Sequence, residues 1–83
     1  MNTSPLSPKT LQHFLRLVDN AQHAARHSDA DEHPLNDTSL DQANLSVRCA
    51  RLGLIKITLD LGCFYYTLTE AGVQLARENG VQL

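Results

Sequence analysis

The chain has too few cysteines for a disulfide framework. Among its 83 residues only Cys49 and Cys63 are cysteines, and they form no C-x-x-C pair. A small secreted scaffold would need more. Two buried thiols, one on a helix and one on a strand, are the expectation. Long apolar runs are also missing, and nothing approaches the ~20 residues that span a bilayer. Residues 1–7, MNTSPLS, have neither the basic start nor the apolar core of a secretory signal. A cytoplasmic protein with no membrane partner is therefore expected.

There is no basic surplus either. Seven Lys and Arg stand against nine Asp and Glu, for a net charge of -2, whereas a dedicated nucleic-acid binder usually carries an excess of cations. Catalytic signatures are lacking: no G-x-S-x-G, no P-loop, no dinucleotide fingerprint. Ser46 and Cys49 have no evident base beside them, and so short a chain leaves little room for a substrate pocket. The expectation is a protein that is not an enzyme and needs no cofactor.

What is present is an ordinary globular balance, 42% hydrophobic and 19% charged, enough for one modest core. Residues 1–7 read as a flexible tail and residues 8–83 as a single domain. Ser7-Pro8 is a helix start, with a hydroxyl to cap and a proline whose missing N–H costs nothing. From there Leu11, Phe14, Leu15, Val18, Ala21 and Ala25 recur at helical spacing. The opposite face carries Lys9, Gln12, Arg16, Asn20 and His23, so a helix is predicted from Pro8 to about His27.

Ser28 to Asn36, SDADEHPLN, is polar and broken by Pro34, and reads as a loop. Asp29, Asp31, Glu32, Asp37 and Asp41 follow one another with no Lys or Arg between them. Such a run is ordinarily a solvated loop.

Thr38 or Ser39 can cap a second helix running to about Leu52. At 100° per residue, Leu40, Ala43, Val47, Ala50 and Leu54 share one arc, and Leu45, Cys49 and Leu52 another. Between them lies a polar stripe of Asp41, Asn44, Arg48 and Arg51, with a narrower one of Gln42 and Ser46. Two apolar arcs predict a helix wedged between neighbours, its main polar stripe facing solvent. Gly53 ends the helix. Ile55, Ile57 and Leu59 then alternate with Lys56, Thr58 and Asp60, as a strand with one buried face does. Asp60-Leu61-Gly62 turns the chain, and CFYYTL returns it. Thr69 caps a last helix over residues 70–79, with Leu75 and Ala76 toward the core.

RLGLI (Arg51–Ile55), the hairpin KITLDLGCFYY and TLTEAG (Thr67–Gly72), in that order, resemble winged helix-turn-helix proteins over residues 38–79. Many such regulators end the recognition helix in L-x-x-G-L-I. They follow it with a β-wing and then L-T-x-x-G at the start of another helix. The resemblance implies an α+β fold: a small winged-helix-like domain of helices, a two-stranded β-hairpin as the wing, and a C-terminal helix. The helix that precedes recognition in standard members has its place taken by SDADEHPLN, unless residues 34–39 form a single turn. The wing tip, Asp60-Leu61-Gly62, has no cation.

The resemblance implies double-stranded DNA as partner and transcription regulation as the role. Asn44 would read adenine, and Arg48 and Arg51 guanine or phosphate. Gln42 lies at the groove-entering end, and Lys56 at the start of the wing. The bland reading of the same stripe is solvation of an exposed helix face. With seven Lys and Arg in total, a monomer would bind weakly, and a homodimer joined through the first or last helix would double the contacts. The alternative is a protein-binding winged helix, such as an anti-CRISPR-like phage or mobile-element inhibitor of a host protein. Its contacts would be Asp29, Asp31, Glu32, Asp37 and Tyr65, although a tyrosine covering the sheet is the commoner use of Tyr65. His23 and His27, with Asp29, Asp31 and His33 nearby, could hold zinc. Exposed polar residues are the preferred reading there, and no metal site is expected.

Overall fold

The computed structural model describes residues 6–25, 33–35 and 39–82. Helix α1 spans Pro8–Ala25. The Ser7 hydroxyl accepts from the Thr10 N–H at 3.2 Å, so Ser7 caps the helix as its sequence predicts. Phe14, Leu17, Val18 and Ala21 form its buried stripe, joined by two polar residues, Thr10 and His13. Leu6 packs against the core, so the chain is anchored one residue before the cap, inside the segment read as tail. Residues 1–5 and the predicted last turn over residues 26–27 lie outside the described residues.

The loop read over residues 28–36 needs correcting. His33–Pro34 form a short strand, β1. Pro34 does not prevent this, because β1 lies at the sheet edge, where a missing N–H breaks no ladder. His33 is opposite Tyr66 and Pro34 opposite Tyr65, and the Leu35 N–H donates to the Phe64 carbonyl at 3.0 Å.

Helix α2 spans Leu40–Arg51 and is capped by the Ser39 hydroxyl, which accepts from the Gln42 N–H. Gly53, at φ 78°, turns the chain out of the helix into β2, Ile55–Asp60. Leu61 and Gly62 form a two-residue turn with φ values of 51° and 80°, the signs of a type I′ hairpin. Strand β3, Cys63–Leu68, returns antiparallel to β2. Helix α3 spans Glu70–Glu78 and starts at Thr69, whose hydroxyl accepts from the Gly72 N–H at 3.0 Å.

The order is α1-β1-α2-β2-β3-α3, and the antiparallel sheet is ordered β1-β3-β2. The domain is α+β and winged-helix-like. Its wing is part of a three-stranded sheet and not an isolated two-stranded hairpin, because β1 pairs with β3. Among the described residues α2 is the one helix between β1 and β2. Of the turn envisaged over residues 34–39, Pro34 is in β1, Leu35 continues its bonding to β3 and Ser39 is the extended cap of α2; residues 36–38 lie outside the described residues.

The core gathers Phe14, Leu17, Val18 and Ala21 of α1, Cys49 of α2, Leu54 and Ile55, Tyr66 of β3 and Ala76 of α3. The Tyr66 hydroxyl donates to the Leu17 carbonyl at 2.6 Å, which ties the sheet to α1. No helix among the described residues is long and apolar enough to cross a membrane.

The two segments that carry the family resemblance lie against each other. The Thr69 N–H donates to the Leu54 carbonyl at 3.1 Å, and the Thr69 hydroxyl donates to the Gly53 carbonyl. A Cβ on Gly72 would run into that same Leu54 carbonyl oxygen. The Thr and the Gly of L-T-x-x-G therefore have one physical purpose: they let the start of α3 close on the G-L-I turn.

Candidate nucleic-acid interface

The exposed face of α2 follows from what its other face buries. Ser46 and Cys49 are fully enclosed, with Gln42, Ala43, Leu45 and Ala50 half-buried around them. This corrects the two-arc reading. Ser46 belongs to the seam because its hydroxyl meets the His13 ring Nε2 at 2.7 Å. A small polar residue with a buried partner is not visible as core in an apolar pattern. Leu40 and Val47, expected in a buried arc, are 76% and 45% exposed.

Asp41, Asn44, Arg48 and Arg51 are all exposed, as the polar stripe requires. They run along one side of α2, from its capped N-terminus to its last turn, with Leu40 and Val47 beside them. Arg48 and Arg51 sit in that last turn, where cations complement the helix dipole. Lys56, second in β2, is exposed and opposite Thr67. Gln42 is not brought onto this face. It is half-buried on the inner flank, so of the residues predicted to touch DNA the structure presents Asn44, Arg48, Arg51 and Lys56 to solvent.

The wing differs from expectation at its tip. Ile55, Ile57 and Leu59 do share one face, with Leu68, Tyr66 and Phe64 opposite them on β3. The hairpin, however, extends past the helices that cover its base. Ile55 and Tyr66 are buried, but Leu59 and Phe64 are 61% and 53% exposed, and Leu61 is 95% exposed. Cys63 is exposed beside them and not buried; only Cys49 is a core thiol. The sequence alternation told which face Leu59 was on, but not that the covering layer stops short of it.

Of the residues named for a protein contact, Tyr65 is half-buried on the outer face of the sheet, and Tyr66 is the inward tyrosine. Asp29, Asp31, Glu32 and Asp37 lie outside the described residues, as does His27; His23 is exposed. Surface depressions of about 450 and 460 Å³ lie along single helices, one lined by Gln12, Leu15, Arg16, Asp19 and Asn20, the other by Glu70, Val73, Gln74, Arg77 and Glu78. Both are open, and neither lining holds a nucleophile beside a base.

No family model matches this chain, and no curated protein or solved structure is detectably similar to it.

Proposed function

We propose that the chain is a small winged-helix DNA-binding protein, a transcription regulator that lays the exposed face of α2 in the major groove. The observation that carries the reading is the exposure of Asn44, Arg48 and Arg51 on one face of the helix that leads directly into the hairpin. An amide that can pair with adenine and guanidiniums that can pair with guanine or phosphate are the side chains such a face needs. Asp41 and the Ser39 cap stand at the groove-entering end. Lys56 adds a phosphate contact from the base of the wing. The family resemblance and the strand order β1-β3-β2 support the same assignment. The protein is not an enzyme in this reading and uses no cofactor.

The test is fluorescence anisotropy of the full chain with mixed-sequence duplex DNA at several salt concentrations. Affinity that falls steeply with salt, and falls further in Arg48→Ala and Arg51→Ala, is the expected result. No binding at low salt would overturn the reading.

A second reading is favoured by one observation. The wing tip offers Leu59, Leu61 and Phe64 to solvent and no cation, which suits a protein surface better than a phosphate backbone. Under it the domain is a protein-binding winged helix, such as a phage or mobile-element inhibitor of a host protein. Loss of capture of that protein on Leu61→Asp and Phe64→Asp substitution, with DNA binding absent, would establish this reading in place of the first.

A further inference from the structure

We infer that strand β2 is a self-complementary edge through which two copies of the chain pair antiparallel, joining their sheets into one. The inference is independent of DNA binding and replaces the first or last helix as the expected dimer contact.

The sheet order leaves β2 at an edge, with β3 on one side and no strand among the described residues on the other. The backbone polarity of that edge follows from the turn. Asp60 and Cys63 flank a two-residue turn and are paired, so they exchange backbone hydrogen bonds. The pattern alternates from there. Asp60, Thr58 and Lys56 direct their N–H and C=O groups toward β3, while Leu59, Ile57 and Ile55 direct theirs outward. An open row of this kind is a template for another strand.

The side chains then select the partner and the register. In a two-fold antiparallel pairing centred on Thr58, Lys56 stands opposite the partner's Asp60, and Asp60 opposite the partner's Lys56. Ile57 stands opposite the partner's Leu59, and Thr58 opposite its own copy. Opposite charges, a threonine pair and an aliphatic pair are all favourable cross-strand neighbours. Parity is satisfied too: Ile57 and the partner's Leu59 both have outward backbone groups and can exchange hydrogen bonds. A pairing centred on Lys56 would set two ammonium groups against each other, and one centred on Asp60 two carboxylates. Centres at Ile57 or Leu59 keep the backbone parity but lose both charge pairs. The Thr58 register alone among these matches charge and backbone together.

The pairing also accounts for Leu59. It is 61% exposed on a face whose other β2 members are buried, Ile55, or half-buried, Ile57. In the paired sheet the partner's Ile57 lies beside it. Each interface is isologous and closes as a dimer, so the pairing does not propagate into fibres.

The experiment is a sedimentation-equilibrium series on the full chain without DNA, over a wide concentration range. The wild type is expected to dimerise reversibly. Lys56→Glu and Asp60→Lys each place two like-charged pairs in the interface, and each should weaken dimerisation about tenfold or more. An equimolar mixture of the two variants should dimerise again, because each then meets its complement. Both side chains are exposed in the monomer, so circular dichroism should show both variants folded. A second measurement needs no charge: Thr58→Cys in a Cys63→Ser background should form an intermolecular disulfide on mild oxidation. The central pair is a close, non-hydrogen-bonded one with Cα atoms ~4.5 Å apart, within bridging range. A wild type that stays monomeric throughout, or a dimer indifferent to the swaps and uncrosslinked through position 58, would overturn the inference.

Discussion

The imidazole of His13 and the hydroxyl of Ser46 meet at 2.7 Å in the seam between α1 and α2, where Ser46 is fully enclosed and His13 is 7% exposed. It is a polar contact in a mostly apolar core and fixes how the two helices sit. Its low exposure makes it structural and not a nucleophile–base pair, since no substrate could reach the hydroxyl. Ser46→Ala withdraws the hydroxyl from a buried ring nitrogen. The expected cost is about 1–3 kcal/mol, read as a lower urea midpoint with an unchanged slope. His13→Leu combined with Ser46→Ala should cost less than the two single changes summed, because the double variant buries no deprived polar group. Strict additivity would show that the contact contributes nothing.

The seam between the α2–β2 turn and α3 makes a prediction of unusual sign. Ala is normally the better helix residue, by about 1 kcal/mol over Gly in an interior position. Gly72 is in α3, yet a Cβ there would collide with the Leu54 carbonyl, which also accepts from the Thr69 N–H. Backbone on both sides leaves little to yield. Gly72→Ala is expected to destabilise by about 2–3 kcal/mol. On a domain of this size that lowers the thermal midpoint by roughly 10 °C or more. An unchanged or raised midpoint would show that α3 can lift off the turn without cost.

The wing tip holds a residue poorly suited to its backbone. Leu61 has φ 51°, where a non-glycine residue without a short polar side chain pays about 1–2 kcal/mol. It is 95% exposed, so packing does not compensate for the strain. Leu61→Asn puts the residue favoured at this position of a type I′ turn in its place. A gain of about 0.5–1 kcal/mol is expected, seen as a higher thermal midpoint. If Leu61 is instead the anchor of a protein contact, the same substitution stabilises the domain and weakens that contact.

The elements with strong periodicity or punctuation were legible: α1 from its apolar spacing and Ser7-Pro8, the hairpin from its alternation and Leu61-Gly62, α3 from Thr69. The polar stripe of α2 was legible too, since charged side chains seldom go inside. What escaped was decided by partners distant in the chain. Ser46 is core because His13 lies across from it, 33 residues away. His33–Pro34 is a strand because β3 offers an edge to it, and two residues have no periodicity of their own. Leu40, Val47, Leu59 and Phe64 are apolar yet exposed, because none of the described elements covers them. An apolar pattern says what a residue would prefer, and only the tertiary arrangement says whether a cover exists.

The α2 face separates the ways a side chain can contribute to DNA binding. Arg48 and Arg51 on α2 and Lys56 on β2 are the exposed cations there, and each phosphate neutralised contributes about -0.9 to the log–log salt slope. A monomer using all of them should show a slope of about -3, and a dimer paired through β2, whose Lys56 is engaged by the partner's Asp60, about -4 from the arginines of both copies. Arg48→Ala and Arg51→Ala should each weaken binding and reduce the slope by about 1 per copy where they hold phosphate. Asn44→Ala carries no charge and should leave the slope unchanged. Its effect should appear as lost preference among duplexes, by about 1–3 kcal/mol at one base pair. Binding that ignores Asn44 on every duplex, yet follows the arginines, would mean that α2 rides the backbone without reading bases. A dimeric protein with a slope of only about -2 would mean that a single α2 reaches the duplex at a time.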